Sequence, residues 1–299
     1  MCGLDFQKVG PQKRRTQGMK SHKGPFLRSY ERWYWGLWVL LPMAWLFAYP
    51  FLWMFLSMFK GNQEIFQPTS LLPDQWDLAH LRRLLAGEWF PFWRVLGLSL
   101  FMAVGQALGA VVLTSMAGFA FAKLRFRGRS LLLVACLFTI VLPRQLLVVP
   151  LFEWVHRIGL HGSVWGVMFP GMVSGLGVLF FTQVFRQVPD AYVETACLEG
   201  ANEWGAYRLL LPMLGSCLLS YGLIHFILAW NEHLIPLVVL GGAEQQTLPL
   251  ALASLYGSSL RFPYAALMAG SFVAMIPPMV FFLFSYRRFR DALSNVILS

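Results

Sequence analysis

The residue types that carry most enzyme chemistry occur in this chain in patterns that support none of it. There is no GxxxxGK[ST] run, so no loop is built to cradle nucleotide phosphates. HExxH, CxxC pairs and GxSxG are missing as well. His156 and His161 are five residues apart, off the spacing that places two ligands on one helical face, so no metal is expected there. His225 and His233 stand singly and read as packing or interface residues. The chain is therefore not expected to be an enzyme or to bind a cofactor.

The informative chemistry is a charged segment at 189–212, PDAYVETACLEGANEWGAYRLLLP, set between two apolar runs. It holds Glu194, Glu199 and Glu203 in a half of the chain where acids are otherwise scarce. Pro189 and Asp190 predict a helix start: proline suits the first turn, and a carboxylate there meets the positive end of the helix dipole. Gly200 predicts its end in a left-handed conformation. Asn202 predicts the cap of a second helix, which Pro212 limits or kinks. A helix–glycine–helix elbow has the shape of something another protein grips.

The elements that position this elbow are membrane spans. The 299 residues are 57% hydrophobic and 16% aromatic but only 13% charged. An integral membrane protein is expected. Six apolar runs reach the roughly 20 residues that a spanning helix needs. They lie near 34–59, 95–122, 131–151, 163–185, 213–232 and 264–286. Each is continuous, not alternating, which favours helices over a barrel. Gly105, Gly109, Ala110, Ser115 and Gly118 in the second run permit close helix packing.

Charge sets the expected orientation. Of the 24 Lys and Arg, 17 lie on one side: in the tail, between runs two and three, beside the elbow and after run six. Basic loops stay in the cytoplasm, so both termini and the elbow are expected inside. The net charge of +10 then reflects topology. Basic residues hug the span ends and form no separate domain, so nucleic acid is not an expected partner. Residues 1–33 read as a basic, flexible tail without a cleavable signal, and Met19 is an alternative start. Cys2, Cys136, Cys197 and Cys217 are scattered and imply no disulfide framework.

The longest outer segment is 60–92, with a short helix expected at 77–86 capped by Asp77. Segments 152–163 and 233–263 are the others. They either dock a partner or cover helix ends. Ionisable residues within the runs are rare: Arg144 follows Pro143, and Glu232 follows Trp230 and Asn231. Such residues suggest function by default, with helix-end anchoring as the competing reading. In run five, Ser216, Ser220 and Asn231 fall within about 60° of one another at the helical angle, with Trp230 beside them. Asn231, Trp230 and Ser220 are candidate pathway residues. The alternative is that the serines bond helix carbonyls.

The segment Glu194-Thr195-Ala196, followed by Glu199, Gly200, Ala201 and the pair Leu211-Pro212, resembles the EAA loop of ATP-binding-cassette importer permeases. Thr195 departs from the family's first alanine, and Glu199 stands where aspartate is common. FKGNQEIFQP, AGFAFAKLRFRGR, LPRQLLVVPLF, LHGSVWGVMFPG, AWNEHLIPLVVL, TLPLAL and MIPPMVFFLFSYRRF follow in family order. Together they resemble the sugar-importer permeases of the maltose-transporter G type over residues 34–299.

That resemblance implies the type I importer permease fold: all-α, six transmembrane helices, with the elbow as coupling loop in a bacterial inner membrane. It implies a sister permease, two copies of a cytoplasmic ATPase that hold ATP and magnesium, and an extracytoplasmic solute-binding protein. The implied coupling residues are Glu194, Thr195, Ala196, Glu199, Gly200, Ala201, Leu211 and Pro212, with Arg186 and Arg208 as braces. The implied solute is a mono- or oligosaccharide, with glycerol 3-phosphate or another polyol derivative as the alternative. A secondary transporter or a membrane-embedded enzyme is disfavoured, because neither internal repeats nor a catalytic constellation occurs. The charge distribution predicts that cysteines placed at Glu64 and at Arg127 label from opposite sides of the membrane in intact cells. Equal accessibility would overturn the orientation.

Overall fold

The structure is a computed structural model that describes residues 25–67, 70–242, 245–255 and 263–297. Contacts divide the chain into two units, Met1–Pro50 and Phe51–Ser299. In the first unit the described residues are the early part of α1 (Pro25–Ser57). The expected tail of 1–33 is thereby shortened, since residues from Pro25 are helical and proline suits a helix start. Residues 1–24, with Cys2 and Met19, lie outside the described residues.

The second unit continues with α2 (Ala79–Ala86), α3 (Phe92–Lys123), α4 (Arg129–Val141) and α5 (Arg144–Arg157). Next come α6 (Val164–Met172), α7 (Gly175–Gln187), α8 (Asp190–Leu198), α9 (Glu203–Leu210) and α10 (Gly215–Trp230). Then follow α11 (Leu234–Val239), α12 (Leu248–Ser254) and α13 (Tyr264–Ile297). The described residues are helices and connections, with no strand among them.

Among the described residues, five stretches are long and apolar enough to cross a membrane: Leu37–Ser57, Phe92–Lys123, Val164–Gln187, Glu203–Trp230 and Tyr264–Tyr286. The remaining expected span, 131–151, is not one straight helix. It breaks between α4 and α5, whose axes differ by 109°. The cause is local: Pro143 lacks an N–H and pushes Leu142 into extended backbone at φ −69°, ψ 123°. The stretch Val164–Gln187 is also interrupted, at Val173 and Ser174, where the Ser174 hydroxyl accepts from the Gly177 N–H to restart the helix. Run five begins earlier than 213, because the elbow's second helix α9 passes through a 3₁₀ turn at Pro212–Leu214 directly into α10.

Helix α3 is the axis of this unit. Gly118 brings it so close to α7 that an added Cβ would lie 2.5 Å from the Phe181 Cβ and 2.8 Å from the Thr182 nitrogen. Gly105 and Gly109 make room in the same way for Met168 and Met172 of α6. Around α3 lie three apolar clusters. One joins it to α2, α10, α12 and α13 through Leu84, Phe92, Phe226, Leu248 and Leu267. Another joins it to α5, α6 and α11 through Met102, Val155, Met168 and Val239. The third joins it to the elbow.

The 60–92 segment is organised by its own polar residues. Buried Lys60 donates to the Ser70 carbonyl at 2.5 Å, and Glu64 accepts from the Asp74 N–H at 2.8 Å. Asn62 accepts from the Ala265 N–H at the start of α13. The expected helix starts at Ala79 and not at 77, and its N-cap is Leu78 and not Asp77, which lies one residue earlier and accepts from the Ala79 N–H at 2.8 Å. Leu84 of α2 is buried against this bundle, so the segment covers helix ends.

The Gly118 contact is with backbone and cannot yield by a side-chain rotation. Gly118→Ala should therefore destabilise the detergent-purified protein by about 1–3 kcal/mol, as overpacking does. Gly97→Ala, on the same helix with nothing within 4 Å of the new Cβ, should be neutral or slightly stabilising. Thermal unfolding of both variants tests this; equal midpoints would mean that α3 and α7 separate freely.

Candidate functional site: a helical elbow fixed to the bundle

The elbow forms as its residues direct. Pro189 is the N-cap of α8, with Asp190 in the first turn. The helix ends in two reversed hydrogen bonds, from the Gly200 N–H to the Cys197 carbonyl at 3.0 Å and from the Ala201 N–H to the Ala196 carbonyl at 2.9 Å. This paired pattern requires a left-handed residue, and Gly200 has φ +85°. A Cβ at Gly200 would meet nothing within 4 Å of this chain, so the constraint there is backbone conformation alone. Asn202 Oδ1 then accepts from the Gly205 N–H at 2.8 Å and caps α9.

The elbow's inner face is apolar. Ala196, Ala206, Tyr207 and Leu210 are buried with Phe119, Phe181, Phe185 and Tyr221, and Ala201 and Leu211 pack against them. Ala196 is 4% exposed and does not face outward: it positions α8 against the bundle. Thr195 is exposed, and its hydroxyl bonds the Ala191 carbonyl at 2.8 Å, so the departure from alanine leaves no unpaired group. The outer face carries Glu194, Glu199, Glu203, Trp204 and Leu198, the last 89% exposed. Leu198 escaped the sequence reading because a single leucine in a helix reads as core.

Two polar links tie the elbow to α3. Lys123, the last residue of α3, is only 4% exposed in its side chain. It donates to the Val188 carbonyl and to Asp190 Oδ1, each at 2.5 Å. The Ser115 and Tyr207 hydroxyls share a hydrogen bond of 2.8 Å. The expected braces are thus replaced: Arg208 lies over the Trp204 ring at 4.8 Å, and Arg186 is exposed. Lys123 does the bracing, at a helix C-terminus where a cation is favoured. Its hydrogen bond, and next its charge, hold the Asp190 carboxyl below the usual carboxylate range.

The pathway candidates separate. Trp230 is buried in the core and donates to the Ala274 carbonyl of α13 at 3.1 Å. It is 4% exposed and its ring stacks on Phe226 at 5.8 Å, so it offers no open face within this chain. Ser220 bonds the Ser216 carbonyl of its own helix at 2.8 Å. Asn231 is exposed at the end of α10. His225 is buried and bonds the Gly171 carbonyl at 2.9 Å, tying α10 to α6. His156 and His161 do approach, at 5.6 Å between ring centroids. No group of three metal-ligating side chains occurs among the described residues. Arg144 and Glu232, 88 residues apart, form an ion pair at 3.4 Å that spacing alone does not reveal.

Lys123→Met removes both bonds from α3 to the start of α8. Amide hydrogen exchange across 190–210 should then quicken by about tenfold or more, while the spans keep their protection. Unchanged exchange would make the tether dispensable. The pH dependence has a fixed sign. A depressed carboxylate adds stability above its unfolded value and loses it as pH falls through the folded one, so protection should persist from pH 8 to 5 and decline only below about pH 4.

Comparison with known proteins gives this geometry its relatives. Residues 110–295 match the family described as binding-protein-dependent transport system inner membrane component. The chain is 28% identical over 259 residues to the arabinooligosaccharides transport system permease protein AraQ of Halalkalibacterium halodurans, covering 83% of this chain and 89% of that one. It is 30% identical over 250 residues to the trehalose transport system permease protein SugB of Mycobacterium tuberculosis, covering 82% and 90%. A chain in the crystal structure of a bacterial ABC transporter involved in the import of the acidic polysaccharide alginate superimposes with a TM-score of 0.73 at 19% identity. The superposition covers 88% of this chain and 98% of that one, so the fold is shared. With its apolar spans, its elbow and a family match over more than half its length, the chain belongs to the inner-membrane permease family of binding-protein-dependent transport systems.

Proposed function

We propose that this chain is one of two permease subunits of an ATP-driven sugar importer, with the elbow as its coupling element. The observation that carries the reading is the elbow's two-sided construction. Its inner face is bonded and packed to α3, α7 and α10, while its outer face presents Glu194, Glu199, Leu198 and Trp204 to a partner. A rigid piece built this way converts a partner's closure into movement of the bundle. The partners are a sister permease, two copies of an ATPase that binds ATP and magnesium, and a solute-binding protein on the opposite face. Both termini and the elbow are cytoplasmic, as the basic side chains require. Glu194 meets a basic residue of the ATPase through a charge-assisted contact.

A neutral saccharide is the solute. Relatives are named for arabinooligosaccharides, trehalose and lactose, and one for sn-glycerol-3-phosphate, the alternative solute. A phosphorylated solute needs a free cation along its route. Arg144, the cation best placed by sequence, is already paired with Glu232. The cavity of about 630 Å³ between α3, α10 and α13 is lined by apolar side chains such as Leu100, Val104, Leu108, Leu219, Phe281 and Phe284, and suits no sugar.

Gly200→Val forces a β-branched residue to φ +85° and costs about 1–2 kcal/mol at the bend. Glu194→Lys reverses the proposed contact. Both variants should fold in the membrane yet lose ATPase on co-purification, or lose sugar-stimulated hydrolysis. If both retain the ATPase and hydrolyse normally, the elbow is not the coupling element.

A further inference from the structure

Two helix breaks that are far apart in sequence meet in space. Pro143 parts α4 from α5, and Asn231–His233 part α10 from α11. Arg144 is the first residue of α5, and Glu232 lies between α10 and α11. Helices α5 and α11 pack together, and the two side chains pair at 3.4 Å. Glu232 is committed on both oxygens. Oε1 accepts from the Leu234 and Ile235 N–H groups at 3.0 and 3.5 Å, and Oε2 meets Arg144. The carboxylate side chain is 17% exposed and the guanidinium 58%.

The depth of this pair follows from the run in which Arg144 sits. Arg144 falls inside the apolar run 131–151, and α4 and α5 are together long and apolar enough to form one broken span. Arg144 therefore stands at a break within a span, and Glu232 is paired with it there. Non-helical backbone at that depth persists only inside protein or along a water-filled cavity. An intramembrane cation that is more than half exposed on its own chain faces such a cavity or a neighbouring subunit.

We infer that the Arg144–Glu232 pair forms part of the wall of the solute route and hydrogen-bonds a neutral polyhydroxylated solute, a role that rests on the sugar reading above. A guanidinium has five N–H donors, and this one spends one on Glu232. The remaining donors match vicinal hydroxyl oxygens. The carboxylate cancels the charge, so the wall donates to hydroxyls without trapping anions. Asn231 lies next to Glu232 and is exposed on the same break, so its amide belongs to this wall.

The test uses the whole importer in proteoliposomes, with the four cysteines of this chain replaced by serine. Arg144→Cys should react with the membrane-impermeant reagent sulfonatoethyl methanethiosulfonate in at least one nucleotide state. A thiol that stays unreactive in every state lies against lipid or the sister subunit, and overturns the proposal. The second arm follows uptake of radiolabelled trehalose, lactose and arabinotriose. Arg144→Gln should lower the maximal rate for whichever is carried by about tenfold, the worth of one charge-assisted hydrogen bond. Arg144→Lys should recover part of it. Glu232→Gln keeps the cap on α11 through its amide oxygen and frees the guanidinium, and should also slow uptake. The transported sugar should protect the thiol of Arg144→Cys from the reagent. A merely structural latch predicts lower complex yield and no such protection. Uptake at the wild-type rate in Arg144→Gln overturns the solute contact. A wild type that carries none of the three sugars overturns the sugar reading and the solute class with it, while reactivity of the thiol in Arg144→Cys still decides whether the pair lines an aqueous route.

Discussion

Gly118 lets α3 and α7 lie backbone to backbone, and the other contacts of the described fold are set by that approach. With no side chain at Gly118, the chain at Phe181 and Thr182 can rest directly against α3. In a membrane there is little hydrophobic gain from pressing helices together, so close packing of small residues carries the association. The same helix then holds Ser115 and Lys123 at fixed heights. Those two residues reach Tyr207 and Asp190 and set the elbow's position. A shift of α7 along α3 would move every one of these bonds together.

The elbow shows how a polar loop is made rigid at a membrane face. Its turn is closed by backbone bonds around Gly200 and by the Asn202 cap, both local. Its attachment is long-range and partly buried, through Lys123. Local closure makes the elbow a solid object, and burial of Ala196, Tyr207 and Leu210 makes it part of the bundle. What is left on the outside is acidic and aromatic, the composition of a surface awaiting a partner.

Two polar contacts between helices sit where helices break. His225 holds the Gly171 carbonyl just before the α6–α7 interruption. Glu232 caps α11 and meets Arg144 at the α4–α5 bend. A broken helix leaves N–H and C=O groups unpaired, and lipid cannot satisfy them. Side chains from neighbouring helices do so instead, and the breaks are thereby drawn into contact.

Short-range rules account for what was legible in the letters: the apolar runs, the start of α8 at Pro189–Asp190, the left-handed Gly200 and the Asn202 cap. Each depends on backbone sterics or on a hydrogen bond spanning a few residues, so adjacent positions carry the information. The ordered motifs across 34–299 added the family, because their spacing reflects one shared fold. Pro143 was visible, yet a proline within an apolar run is compatible with either a kink or a break. The structure shows a break, a bend of 109° that leaves α5 packed against α11. Folding of the whole chain was needed to bring side chains together across distance: Lys123 with Asp190 over 67 residues, Arg144 with Glu232 over 88, and Ser115 with Tyr207 over 92. It likewise turned Trp230 and Ala196 inward. A helical period says which residues share a face, but which neighbour that face meets is set by how all the helices pack at once.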